Sequence, residues 1–130
     1  MRRNRFHHGL LGLAGQKEDS PDTVYYICCK KGRLAVCAGP NQSGDQFVRK
    51  CRQEHEQQHI TDMKCNEDDY CKGKPDGPVR VDASEKAKLE CAGYQAQLKC
   101  LENTFKSPDV RQDKKHVLGQ IKKYCPPTPQ

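Results

Sequence analysis

Five consecutive residues, His55-Glu56-Gln57-Gln58-His59, combine types and spacing that suit hydrolytic chemistry. Residues four apart on a helix lie one above the other, so both imidazoles can reach a single zinc ion at about 2.0–2.1 Å. Glu56 lies about 100° round the helix from His55. Its carboxylate can then face a water held by zinc without ligating the metal. Zinc lowers the pKa of such a water toward about 7, and Glu56 takes the proton as general base. The nucleophile formed attacks a carbonyl polarised by the metal. The pattern thus predicts a zinc-dependent endopeptidase acting on a protein or peptide substrate.

A catalytic zinc site needs a third protein ligand and an open position. Three carboxylates are near enough in sequence to be weighed. Asp62 follows His59 by three residues, but its side chain is short for the same ion. Glu85 is already explained by a helix-capping pattern with Asp82. Glu90, 31 residues after His59 and beside the inward stripe of a second helix, is the expected ligand. Tyr94 lies one turn beyond Glu90. It either hydrogen-bonds the developing oxyanion or serves as an ordinary core tyrosine. His7, His8 and His116 are expected in solvent.

These residues need helices to position them. Phe47, Cys51, His55, His59 and Met63 recur every four residues and form one slowly drifting stripe, so a helix is expected from about Asp45 to Met63. A second helix opens at Asp82, with an apolar stripe of Ala83, Ala87, Cys91, Tyr94, Leu98, Leu101 and Phe105. A third, capped by Ser107-Pro108, turns Val110, Val117, Leu118, Ile121 and Cys125 inward. Upstream, Thr23 to Cys29 and Leu34 to Ala38 flank a Lys-Lys-Gly-Arg turn and read as a β-hairpin. The fold class expected is α+β, a β-hairpin with about three helices. Residues 1–22 read as a leader or linker, 23–125 as the domain and 126–130 as a tail. Residues 34–38 are the expected edge strand for an extended substrate.

Composition says what must hold such a domain together. Leu, Ile, Val and Phe supply only 21 of 130 residues, with no Trp, while charged residues reach 31%. A core that thin normally points toward disorder. Nine cysteines offer the remedy, and the absence of any Cys-x-x-Cys argues for disulfides rather than a cysteine zinc site. Disulfides imply an oxidising compartment, and an odd count leaves at least one thiol unpaired. Cys28 and Cys29 point to opposite faces of a strand and need different partners. A short Cys65–Cys71 loop and a Cys100–Cys125 tie between helices are both geometrically possible. The formal charge of +6 is scattered, and Lys114, Lys115, Lys122 and Lys123 read as a solvated helix face. A nucleic-acid reader would show a denser patch with aromatics. No apolar run approaches the roughly 18 residues of a membrane span, and Leu10 to Ala14 is too short for a signal-peptide core.

With H-E-x-x-H on one helix and a Glu on the next, the chain resembles the gluzincin type of zincin metallopeptidase. The run Arg52 to Ile60, with the later Glu90-Cys91-Ala92-Gly93-Tyr94, is similar to the metallopeptidase toxin domains at the C-termini of bacterial Rhs and polymorphic toxins. That resemblance implies a secreted or delivered effector used against competing cells, a cognate immunity protein in the producer, and action in a compartment such as the target-cell periplasm. Two other function classes remain open. One is a non-catalytic, disulfide-rich secreted binding module. The other is a metal-dependent nuclease toxin, for which the chain lacks a paired Asp/Glu cluster.

Overall fold

The computed structural model describes residues 11–12, 20–65 and 69–127. His7 and His8 lie outside them. The domain is α+β, with three helices against a small antiparallel sheet.

Strands β2 (Tyr25–Lys30) and β3 (Arg33–Ala38) form the expected hairpin. Lys31 and Gly32 connect them, both at positive φ (51° and 76°). Two such residues make the tight turn whose twist matches the flanking strands. On its other edge β2 pairs with β4 (Gly77–Pro78), giving the order β3-β2-β4. A separate two-residue ladder joins β1 (Leu11–Gly12) to β5 (Arg80–Val81), so part of the segment read as a leader pairs with the domain.

Helix α1 (Gln46–Lys64) is capped by Asp45, whose side chain accepts from the backbone of Phe47 and Val48. Helix α2 (Ala83–Glu102) is capped by Asp82, which accepts from the Glu85 backbone. Ser107 caps α3 (Pro108–Tyr124) and also donates to Asp45 at 2.7 Å, fastening the start of α3 to the start of α1. Cys51 bonds Cys100, His55 meets Gln97 and His59 meets Glu90, so α1 and α2 run antiparallel.

Two apolar clusters form. One joins the sheet to the end of α1 and the start of α2, through Ile27, Ile60, Met63, Val79 and Leu89. The other joins the start of α1, the end of α2 and α3, through Cys51, Tyr94, Leu101, Val110 and Val117. Between them, buried in the middle of α1 and α2, lie His55, Glu56, His59, Lys86, Glu90 and Gln97.

Two inward stripes differ from expectation. Phe105 is 67% exposed because α2 ends at Glu102, and its ring meets Phe47 from outside at 5.6 Å. Leu118 is 46% exposed, and the buried face of α3 is Val110, Asp113 and Val117.

Four disulfides join the elements: Cys28–Cys37 across the hairpin, Cys29–Cys71 from sheet to loop, Cys51–Cys100 between α1 and α2, and Cys91–Cys125 between α2 and the end of α3. Cys28 and Cys29 do take different partners. Neither Cys65–Cys71 nor Cys100–Cys125 forms. Cys100 faces α1 and bonds Cys51, while Cys71 reaches the sheet and leaves Cys65 free and exposed. This framework suits an oxidising, extracellular or periplasmic setting. Among the described residues no helix is long and apolar enough to cross a membrane.

Candidate metal centre

His55, His59 and Glu90 come together as the sequence predicts. His55 Nε2 lies 3.1 Å from His59 Nε2 and 2.9 Å from Glu90 Oε1. His59 Nε2 lies 2.7 Å from the same carboxylate oxygen. His59 and Glu90 are fully buried, and His55 is nearly so. Asp62 instead accepts from Gln58 on its own helix, and Glu85 accepts from the Tyr70 hydroxyl. Neither belongs to the cluster.

The residues present fit a metal ion. His55 Nδ1 is 2.8 Å from Gln97 Oε1, an acceptor. A neutral His55 therefore donates from Nδ1 and turns its Nε2 lone pair inward. There it faces the Glu90 carboxylate and the second imidazole, an arrangement with more acceptors than donors that a cation satisfies. Two imidazole nitrogens and one carboxylate oxygen are a suitable set for a divalent transition metal. Room is left by Gly93, where a Cβ would stand 2.7 Å from His55 Nε2 and 2.8 Å from His59 Cε1.

The electrostatics follow from this packing. Burial pushes the Glu90 carboxyl upward, but the two imidazoles against it, wherever they carry a proton toward it, outweigh burial and hold Glu90 well below the usual carboxylate range. Burial pushes His59 down, against the pull of Glu90. Glu56 is displaced the other way. Burial and the neighbouring Glu90 charge raise it well above the carboxylate range, opposed by Lys86. Its Oε1 and His59 Nδ1 are the buried side-chain polar atoms that lack a hydrogen-bond partner among the described residues.

Above the cluster lies an open groove of about 600 Å³. His55, Glu56, Tyr94 and Gln97 contribute to its lining, along with residues 22–25 and one side of α3. The Tyr94 ring meets His55 edge-on at 4.4 Å, and its hydroxyl accepts from Gln120 at 3.3 Å. Burial, helped by Glu90, raises the Tyr94 phenol above its ordinary value, so it stays a proton-bearing donor. Residues 34–38 form the outer strand of the sheet but do not line this groove. Beyond β3 the chain folds back beside Thr23 and Val24 through Gly39 and Asn41, and those segments occupy the rim. His116 is exposed as expected, yet it too lines the groove, its ring 6.2 Å from Tyr94.

Three polar contributors escaped the sequence reading. Gln97 holds His55, Asp113 accepts from Gln97 Nε2 at 2.8 Å, and Lys86 donates to Glu90 Oε2 at 3.4 Å. Their signal was positional. Gln97 stands two turns after Glu90, Lys86 one turn before it, and Asp113 falls between inward Val110 and Val117 at helical spacing.

Comparison with protein families, with curated proteins and with solved structures found no match to this chain.

Proposed function

We propose that the protein is a small zinc-dependent endopeptidase, with His55, His59 and Glu90 as the metal ligands and Glu56 as general base. The observation that carries this reading is the company Glu56 keeps. A buried carboxylate with an unpartnered oxygen lies 3.8 Å from a ligand nitrogen, and it lines an open groove. A structural zinc site is closed by four protein ligands. Here three donors converge, and one of them, His55, lines the groove beside Glu56, which favours an open position over a purely structural ion.

When bound, zinc would polarise the scissile carbonyl and acidify a water. The chain's own residues do the rest. Glu56 accepts the water proton and returns it to the departing amine, the role that suits a carboxylate held above its ordinary range. Tyr94, kept protonated, can donate to the oxygen on which charge develops. Gln97 holds His55 with its Nε2 lone pair turned inward.

The test is incubation of the oxidised, zinc-loaded protein with a mixture of denatured, alkylated proteins, followed by mass spectrometry of new termini. Wild type should cleave, and Glu56→Gln or chelator should abolish cleavage. Cleavage that survives Glu56→Gln overturns the mechanism. Zinc binding with no cleavage favours the non-catalytic binding module, and magnesium-supported cleavage of nucleic acid favours the nuclease.

The resemblance to polymorphic-toxin domains and the four disulfides support a narrower proposal. On it, the chain is a delivered effector active in an oxidising compartment such as a target periplasm, countered by an immunity protein in the producer. Export of wild type to the periplasm of a susceptible bacterium should stop growth, while exported Glu56→Gln or cytoplasmic wild type should not.

A further inference from the structure

Helix α3 supplies no candidate ligand, yet a closed ring of polar contacts, buried except at Arg52, ties it to His55. His55 Nδ1 meets Gln97 Oε1 at 2.8 Å. Gln97 Nε2 donates to Asp113 Oδ2 at 2.8 Å. The other Asp113 oxygen accepts from Arg52 Nη2 at 2.8 Å. Arg52 stands three residues before His55 on α1, so the contacts run α1, α2, α3 and back to α1. His55, Gln97 and Asp113 are each about nine-tenths buried or more.

The ring has a direction. Asp113, paired with a guanidinium, offers only acceptors to Gln97. The Gln97 amide must therefore turn its NH2 toward α3 and its oxygen toward His55. An oxygen at that place requires a hydrogen on His55 Nδ1, which leaves Nε2 as a lone pair among the convergent ligand atoms. Were the amide free to rotate, its NH2 could face Nδ1 and the hydrogen would move to Nε2, where it blocks a metal. We infer that Asp113 is a positioning residue for the metal centre: through Gln97 it fixes the tautomer of His55 that can bind a metal. The inference rests on the metal site proposed above, but not on peptidase activity. Groups supporting a histidine ligand from behind are typically worth about 10–100-fold in metal affinity.

The experiment uses the full oxidised chain and zinc ion, titrated in competition with a chromogenic chelator. Asp113→Asn keeps the volume but can present either an acceptor or a donor to Gln97. It should weaken zinc binding by about 10-fold or more. Adding Gln97→Glu to Asp113→Asn should restore much of the loss, because the new carboxylate accepts from His55 Nδ1 while the new amide donates to it. A merely structural role for Asp113 predicts no such rescue. Nitrogen NMR of the metal-free protein gives a second readout. The His55 ring should be the Nδ1–H tautomer in wild type and the rescued double variant, and a mixture in Asp113→Asn. If wild type binds no zinc but shows the tautomer change, the metal site fails and the orienting ring stands. If wild type binds zinc and Asp113→Asn changes neither affinity nor tautomer, the inference is overturned and the metal site stands.

Discussion

Glu56 Oε1 stands 3.8 Å from His59 Nε2, buried and without a hydrogen-bond partner. An unsatisfied buried oxygen costs stability, about 1–3 kcal/mol for a typical polar group. On the proposed function that cost is borne at the site where the carboxylate serves the chemistry. Glu56→Gln should therefore lower the hydrolysis rate by about 100-fold or more. Zinc content should remain near wild type, since Glu56 is not a ligand. Metal analysis beside the activity assay checks both halves.

The same residue gives a pH signature in the metal-free protein. The folded-state pKa of Glu56 lies well above the ordinary carboxylate value of 4.5, so the unfolded chain loses that proton first. Between the two pKa values the folded state binds more protons, and stability falls as pH rises. Glu56→Gln removes this contribution. Its melting temperature relative to metal-free wild type should accordingly be least favourable near pH 4.5 and should improve as pH climbs toward neutral. Thermal melts of both proteins across that range measure the difference, and a melting temperature of Glu56→Gln that falls relative to wild type as pH rises would contradict the environment described for Glu56.

Glu90 meets both imidazoles, while Glu85 and Asp62 have their own partners elsewhere. Glu90→Ala should strip zinc from the protein during dialysis against a mild chelator. Glu85→Ala and Asp62→Ala should retain it. Loss of metal in Asp62→Ala alone would move the third ligand to α1.

Gly93 and Gly119 offer a paired test of packing. Replacing a helical glycine by alanine normally stabilises by about 0.5–1 kcal/mol. Gly119 on α3 has nothing within 4 Å of a new Cβ, so Gly119→Ala should raise the melting temperature. At Gly93 the new Cβ would meet both ligand imidazoles below 3.0 Å. Gly93→Ala should reverse the sign, destabilise by about 1–3 kcal/mol and impair zinc binding. Equal effects at the two positions would mean that the imidazoles do not lie against α2 as described.

The candidate ligand set was legible because helical periodicity alone places residues 55 and 59 on one face and carries Glu90 beside the inward face of the next helix. The hairpin was legible from β-forming runs around a turn, and the caps from Asp45, Asp82 and Ser107. What periodicity could not supply was the pairing between elements. Gln97 and Asp113 are polar residues at inward positions, and their roles depend on how α3 lies across α2, which no local pattern encodes. The disulfides failed for the same reason: spacing permits Cys100–Cys125, but the antiparallel register of α1 and α2 puts Cys100 beside Cys51. Phe105 misled because the stripe was extended past the end of α2 at Glu102.

That register makes oxidation and the metal site interdependent. Cys51 lies four residues before His55, and its partner Cys100 three after Gln97, so the bond clamps the helices one turn from the ligands. Cys91 follows Glu90 directly, and its bond to Cys125 anchors the end of the helix that carries Asp113. Cys29–Cys71 and Cys28–Cys37 hold the sheet and the loop before β4, which supply none of the candidate metal ligands. Each bond is worth about 2–4 kcal/mol, large against the net stability of a chain whose Leu, Ile, Val and Phe number only 21 in all. Reduction should therefore lower the melting temperature more than zinc removal does under oxidising conditions, and the reduced protein should bind zinc weakly because α1 and α2 are no longer clamped. Chelation leaves the four bonds intact and costs only the interhelical link at the ligands. Alkylation of the native protein without reductant should label one cysteine, Cys65. If several others label readily while zinc remains bound, the disulfides are not what holds these helices in register, and the case for an oxidising compartment falls with them.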